Sequence, residues 1–333
     1  PTGHTTISTG CFPKSHRVVT FGWKDPETGK IVRPTTLENI KAGVLEKIIK
    51  DSGVPTIASL YKEIYPDSKA SSVSSDKFYA ADSLGNYSSD YIIFAEKTKR
   101  EVKPDSIKNH MPPDEVMNDP KLKINDLSKY DLDTWAADAG LSIFNSQKPE
   151  ILLINLPKTD HEGHSSGGII SPDVMTPIFQ NIDLQIGRIV DAYKKAGIYD
   201  STVFIITSDH GMLPNDKNVD AKKFKDITKK ASLPDLMGGG GSSFHGWLVD
   251  TSKAKDVAEA ISNANIDGIQ NVYYKVKRPD GTYINLSTNN TEKNLNKDLA
   301  EANLYLVNTY ACPNGPDVSI PVSYTHLTLP TNR

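Results

Sequence analysis

The feature that most narrows the possible folds is a pair of continuous apolar runs separated by one long amphipathic stretch. Ile151-Leu152-Leu153-Ile154-Asn155-Leu156 shows no polar alternation. A strand of that kind is buried on both faces, as in a parallel sheet. From about Asp173 to Lys195 the apolar positions Val174, Ile178, Ile182, Ile186, Ile189 and Val190 recur at three- and four-residue steps. Pro172 precedes this helical pattern and Gly197 follows it as a stop. Thr202-Val203-Phe204-Ile205-Ile206-Thr207 then predicts a second buried strand. Strand, long helix, strand is a βαβ unit, which implies a right-handed crossover and a parallel sheet.

The remaining segments fit around that unit. Helices are predicted over 35–51, 56–65 and 131–145, and strands over 70–74 and 91–95. The stretch 103–127, rich in Pro and Asp, reads as a surface loop. Composition shifts near residue 237, where Gly238 to Gly241 form a flexible run. A strand over 247–250, a helix over 253–263 and two strands about the turn signal Arg278-Pro279-Asp280-Gly281 follow. The expected organisation is a core over 1–237, a small α+β insert over 238–310 and a return to the core over 311–322. Residues 323–333 break with the preceding pattern and resemble a translated sequencing adapter on a fragmentary metagenomic reading frame, so they are expected to be non-native. The start at Pro1, inside what reads as an active-site turn, is expected to be a truncation.

The 333 residues, 37% hydrophobic and 24% charged, can bury a sizeable core. A formal net charge of −3 leaves no electrostatic footprint for a nucleic-acid partner. The local basic stretch Lys222-Lys223-Phe224-Lys225 is flanked by Asp and reads as a solvated helix face. Two cysteines, Cys11 and Cys312, decide neither a disulfide nor a redox compartment. No apolar run approaches the roughly 20 residues of a membrane span, and no signal peptide is visible.

Three segments carry chemistry. Asp160-His161-Glu162-Gly163-His164 comes directly after the buried run 151–156, and ligands in open α/β sheets collect at the carboxyl ends of strands. Asp160 and His164, four apart across a predicted Gly-containing turn, can converge on one metal ion with suitable zinc donors. Ser208-Asp209-His210-Gly211-Met212 follows the second run and offers Asp209 and His210 as a compact second pair. The βαβ reading puts both pairs on one sheet edge. The third segment, Gly3-His4-Thr5-Thr6-Ile7-Ser8-Thr9-Gly10, then Cys11 and Phe12-Pro13-Lys14-Ser15-His16, is a small, hydroxyl-rich turn leading into a helix, able to offer backbone N–H groups to an anion.

In order and spacing these segments resemble the type I phosphodiesterase/nucleotide pyrophosphatase group of the alkaline phosphatase superfamily, over residues 1 to about 322. The resemblance implies an α/β fold, a doubly wound mostly parallel sheet of the alkaline phosphatase type, with a small α+β insert. It implies two divalent metal ions, zinc favoured by the donor set with manganese and iron as alternatives, with Asp160 and His164 on the first and Asp209 and His210 on the second. It implies a Thr nucleophile four residues before His4, immediately before Pro1, and a phosphothreonyl intermediate. A further upstream metal-binding Asp would also lie outside the chain. The third ligand of the first metal would be a late His beyond Val322, or else His245 in Phe244-His245-Gly246. The implied activity is hydrolysis of phosphodiester or pyrophosphate bonds in a small-molecule substrate, and the family's habit is extracytoplasmic. Lacking its nucleophile, this stretch by itself is expected to be inactive.

Three rival readings are distinguishable. Cys11-x-Pro13 is similar to the sulfatase motif, but Ser15 stands where that motif requires Arg. A phosphomonoesterase or phosphomutase of the same superfamily would share the metal ligands and differ in substrate. A non-catalytic metal-binding remnant would show no metal-dependent turnover. Neither the leaving group nor the oligomeric state is readable in the residues.

Overall fold

The computed structural model describes residues 1–95, 113–122, 131–168, 171–212, 219, 223–224, 226–227, 235–238, 243–269, 271–288 and 309–321. Its elements begin with α1 (Thr2–Thr9), α2 (Pro13–His16), β1 (Trp23–Lys24), β2 (Ile31–Val32), α3 (Leu37–Lys41), α4 (Val44–Asp51) and α5 (Ile57–Ile64). Then come β3 (Ala70–Val73), α6 (Phe78–Gly85), β4 (Tyr91–Ile93), α7 (Asp114–Met117), α8 (Leu132–Gln147), β5 (Ile151–Ile154), α9 (Lys158–Ser165) and α10 (Pro172–Lys195). The last are β6 (Asp235–Gly238), β7 (Ser243–Trp247), α11 (Ala254–Asn263), β8 (Tyr273–Lys277), β9 (Tyr283–Ser287) and β10 (Val318–Pro321). They divide into two compact units, one of Pro1–Cys11 with Pro34–Met212, the other of Phe12–Arg33 with Leu213–Arg333.

The first unit is built on a parallel sheet of order β4-β3-β5. Ser72 of β3 pairs with Ile92 on one side and Leu153 on the other, both parallel. Val73, Ile93, Ala95, Trp135, Ala139 and Ile143 form its buried core, so α8 covers the sheet. The middle strand carries two buried serines, Ser71 and Ser72, ahead of its buried Val73. One of them, Ser72, donates its hydroxyl to the Ala81 carbonyl of α6. That helix comes so close to the sheet that a Cβ on Gly85 would lie 2.4 Å from Ser72 Oγ and 2.9 Å from Ile92 Cγ1. The sequence-predicted helix over 35–51 is two helices, because Gly43 takes a left-handed conformation (φ 69°) between α3 and α4. The predicted helix over 173–195 is α10, with Pro172 in its first turn where a missing N–H costs nothing.

One strand of the predicted βαβ unit departs from expectation. Residues 202–207 form no ladder, and Val203, Ile205 and Ile206 are 84%, 77% and 74% exposed. The physical reason is local. Among the described residues β5 is hydrogen-bonded to β3 alone and no strand pairs with 202–207, where only Phe204 finds aromatic neighbours, Tyr193 and Tyr199. An extended run without a ladder partner is not a strand, whatever its hydropathy. β5 itself is half-buried, not enclosed on both faces.

The second unit contains a five-stranded antiparallel sheet of order β6-β7-β10-β8-β9. α11 buries Val257, Ala258 and Ile261 with Leu248, Val272, Val318 and Ile320 beneath it. The turn signal 278–281 joins β8 to β9, with Gly281 at φ 84°. The expected strand over 247–250 lies earlier, as β7. The predicted tail 323–333, with His326, and most of the glycine run lie outside the described residues.

Candidate active site

The site is assembled in the first unit, at the carboxyl end of β5. Beyond Asn155 the chain enters α9 instead of the predicted turn. A helix puts residues four apart on one face, so Asp160 and His164 meet by periodicity, with His164 Nε2 3.3 Å from Asp160 Oδ1. Gly163 lies on the packed side of α9, where a Cβ would come 2.8 Å from Met212 Cε. That contact holds the 208–212 segment against the helix.

His210 Nε2 stands 3.4 Å from the same Asp160 oxygen and 3.7 Å from Asp209 Oδ2. Asp160 thus receives imidazoles from two sequence-distant motifs, and its other oxygen pairs with Lys77 Nζ. His210 and then Lys77 hold the Asp160 carboxyl far below its ordinary range. In return, the hydrogen bond to Asp160 raises His210 to about 9, helped by the Gly211 carbonyl 2.9 Å from Nδ1. The arrangement is a closed ion-pair cluster.

α1 completes it. Gly3 approaches the Asp209 carbonyl so closely that a Cβ would sit 2.6 Å from it. This places the buried His4 ring between the end of β5 and the end of the extended run 202–207, Nδ1 3.4 Å from Asp209 Oδ2 and Nε2 3.3 Å from Asn155 Nδ2. Burial lowers His4 to about 4, so it is neutral; its Nε2 is within hydrogen-bond distance of Asn155, while Nδ1 faces Asp209 and makes no hydrogen bond among the described residues. The helix closes on Gly10 in the left-handed conformation (φ 65°). Its first N–H groups, those of Thr2, Gly3 and His4, have no partner within the helix.

All four residues expected as metal ligands, Asp160, His164, Asp209 and His210, are therefore neighbours in one cluster. Among the described residues, however, no group of three or more His, Cys, Asp or Glu presents donors arranged around a common cation position. The donor chemistry fits a divalent ion, since carboxylate oxygens face imidazole nitrogens. Here they face one another and the Lys77 ammonium. His245 lies in the second unit, buried in β7 opposite Ser319, with Nε2 bonded to Tyr310 Oη at 3.0 Å and Ser243 Oγ at 3.1 Å. Its Nδ1 has no partner, and burial lowers it to about 4. His16, the end of the third motif, is buried in α2 and accepts from Val18 N–H. Cys11 and Cys312 are free thiols.

Lys77, Asn155 and the position of His4 were not assigned from the sequence. Lys77 follows β3 as Asn155 follows β5, so the strand-end rule that singled out Asp160 applies equally to both. Neither belongs to a recognisable spacing motif, which is why the rule alone did not single them out.

The model of the family "Type I phosphodiesterase / nucleotide pyrophosphatase" matches residues 1–306. The chain belongs to that family. An uncharacterised pyrophosphatase/phosphodiesterase of Schizosaccharomyces pombe is 26% identical over 221 residues, covering 65% of this chain and 36% of that protein. The fold is similar to murine ectonucleotide pyrophosphatase/phosphodiesterase 5, solved as an inactive variant with AMP, at a TM-score of 0.53, 15% identity and coverage of 96% and 66%. It is also similar to phosphonoacetate hydrolase from Sinorhizobium meliloti 1021 in complex with phosphonoformate, at 0.59, 13%, 97% and 69%. The chain spans about a third of the length of the curated family relative and about two thirds of these solved proteins. At such identities the structural likeness establishes the alkaline phosphatase-like α/β fold. Among the described residues no helix is long and apolar enough to cross a membrane.

Proposed function

We propose that the protein hydrolyses phosphodiester or pyrophosphate bonds of a small phosphoester with two bound divalent cations, zinc by its donor set. The observation that carries this reading is the meeting of Asp160, His164, Asp209 and His210 in one cluster, both imidazoles against Asp160 and His210 also beside Asp209, in a chain of this family. Asp160 and His164 would hold one ion, and Asp209 and His210 the other. Bound there, the ions would supply positive charge against a phosphoryl group and activate a hydroxyl nucleophile.

The chain's own residues do the rest. His4 bonds to Asn155 and packs its other ring nitrogen beside the Asp209 carboxylate, so α1 lies against the end of β5 and the end of the run 202–207. The N–H groups at the start of α1 that have no partner within the helix suit a phosphoryl oxygen. Lys77 balances Asp160 and adds positive charge at the site. The nucleophile in this reading is a Thr immediately before Pro1, at the mouth of α1.

The test uses the gene product carrying its natural upstream residues. After chelation and dialysis it is assayed with bis(p-nitrophenyl) phosphate and p-nitrophenyl phosphate, with and without added zinc. Zinc-restored diester turnover exceeding monoester turnover, abolished in Asp209→Asn, is the expected result. Preferential monoester turnover would move the protein to the phosphatase alternative. Metal binding without any turnover would make the cluster a non-catalytic remnant.

A further inference from the structure

Asn86 holds a backbone conformation that its surroundings must enforce. Among the described residues four that are not glycine have a positive φ. Two of them, Arg17 and Lys148, sit in the ordinary left-handed region of helix caps, with ψ at 3° and 55°. Asn86, directly after α6, instead combines φ 42° with ψ −154°. That combination suits glycine, because a Cβ there crowds the backbone. The neighbouring Gly85 does not take it. Gly85 stays helical (φ −75°), since it is needed for the close approach of α6 to the sheet, and the strained position falls on Asn86. Strain of this kind persists only where neighbours over-determine it, and it collects at functional sites.

The neighbours are identifiable. Asn86 is fully buried and its carboxamide is saturated. Nδ2 donates to Ser8 Oγ at 3.3 Å and to the Leu84 carbonyl at 3.2 Å. Oδ1 accepts from the Ser88 N–H at 3.3 Å and from Ser88 Oγ at 2.9 Å. Ser88 Oγ also lies 2.6 Å from Thr56 Oγ1, the N-cap of α5, and Ser8 Oγ donates to the Ser83 carbonyl of α6 at 3.0 Å. One side chain therefore joins α1, the end of α6 and the start of α5. On α1, Ser8 stands four residues after His4, so the two share a face. The Ser8 end of that face is held by α6. The other end carries His4 against Asn155 and Asp209, and Gly3 against the Asp209 carbonyl. A helix of eight residues moves as a rod, so a turn or slide at Ser8 is passed on to Gly3 and His4.

We propose that Asn86 is a positioning residue for the candidate site. Its strained, fully bonded carboxamide fixes the rotation and axial position of α1, and through Gly3 and His4 the place of Asp209. Asn86 touches none of the four proposed ligands and acts through the helix alone. The role at the site rests on the reading of Asp209 and His210 as metal ligands, whereas the grip on α1 belongs to the metal-free chain.

The test compares the gene product carrying its natural upstream residues with its Asn86→Gly, Ser8→Ala and double variants. Glycine accepts the backbone conformation without strain, so Asn86→Gly removes the carboxamide and leaves the turn. Hydrogen exchange is measured first, in chelator. Amides of 5–10 should exchange about tenfold faster or more in each variant, while those of 70–73 and 151–154 keep the wild-type rate. Zinc affinity is then measured by competition with a chromophoric chelator, and turnover with bis(p-nitrophenyl) phosphate. Zinc should bind about tenfold more weakly, and kcat should fall about tenfold with KM nearly unchanged, because the site is displaced and not emptied. The double variant should be no worse than the poorer single one, as for two residues of one contact. Unchanged exchange of α1 in a folded Asn86→Gly protein would overturn the grip on the helix. Faster exchange with wild-type zinc affinity and kcat would overturn the positioning role, and so would losses that multiply in the double variant. A wild type that binds no zinc would remove the metal reading and the role of Asn86 in it, while the exchange rates would still decide the grip on α1.

Discussion

His210 Nε2 lies 3.4 Å from Asp160 Oδ1, and this contact joins two motifs that the chain separates by the whole of α10. The electrostatics of the cluster follow from it. Asp160 loses its ordinary affinity for a proton and His210 gains one. In metal-free protein, Asp160→Asn should bring His210 down from about 9 toward its ordinary value near 6.5. Histidine NMR titration in the presence of chelator would show it. A folded-state value raised above the unfolded one means that the contact contributes stability below about pH 6.5 and loses it as pH rises to about 9. An unchanged His210 titration in the Asn variant would remove Asp160 as the cause.

His4 is the residue of α1 that touches both the end of β5 and the end of the run 202–207. His4→Ala should lower the free energy of unfolding by about 1–3 kcal/mol, because it removes a buried ring together with the partner of the Asn155 amide. His4→Gln, able to donate and accept, should recover part of that loss. Urea denaturation of the two variants at pH 7 separates this from a simple packing effect, in which Gln would fare no better than Ala.

Asp133 gives a pH signature away from the cluster. It is buried at the start of α8, accepts from Lys158 N–H at 3.0 Å, and burial raises it from 3.8 to about 6. A raised acid favours its neutral form, so the wild type should lose stability as pH climbs from about 4 to about 6. Asp133→Asn should not follow that decline. The gap between the two proteins should widen by about 2–3 kcal/mol over the interval, readable from denaturation midpoints at pH 4, 5, 6 and 7.

The close approach of α6 to β3 and β4 predicts a cost at Gly85. Alanine ordinarily gains about 1 kcal/mol over glycine in a helix. Here its methyl would collide with Ser72 Oγ and Ile92, and relieving that overlap should cost more than the gain. Gly85→Ala should therefore be destabilised by about 1–2 kcal/mol in thermal unfolding. A variant as stable as the parent would mean that the sheet yields easily.

Where hydrophobic pattern and burial coincide, the sequence foretold the structure. Apolar continuity located β5, three- and four-residue periodicity located α10, and Pro279 to Gly281 located the β8–β9 turn. The four proposed ligands were legible because each pair sits just past an apolar run. The geometry of Asp160 and His164 was not, since Gly163 reads as a turn residue while its role is close packing against Met212 inside α9. Thr202 to Thr207 shows the opposite limit. Composition reports what a segment needs around it, and a strand also needs a ladder partner, which no local pattern supplies. Lys77 escaped notice because a lone lysine after a strand has no signature until its carboxylate is placed beside it.

The Lys77–Asp160 pair has a consequence for how such a site would be filled. A nest of bare carboxylates would repel itself and burden the newly folded chain before any ion arrived. With an ammonium and an imidazolium already in place, the cluster is neutralised in advance, and loading becomes an exchange of one cation for another. An ion at Asp160 would have to displace the Lys77 ammonium and one at Asp209 would have to release the His210 proton, so uptake would be hindered in acid and favoured in mildly alkaline surroundings.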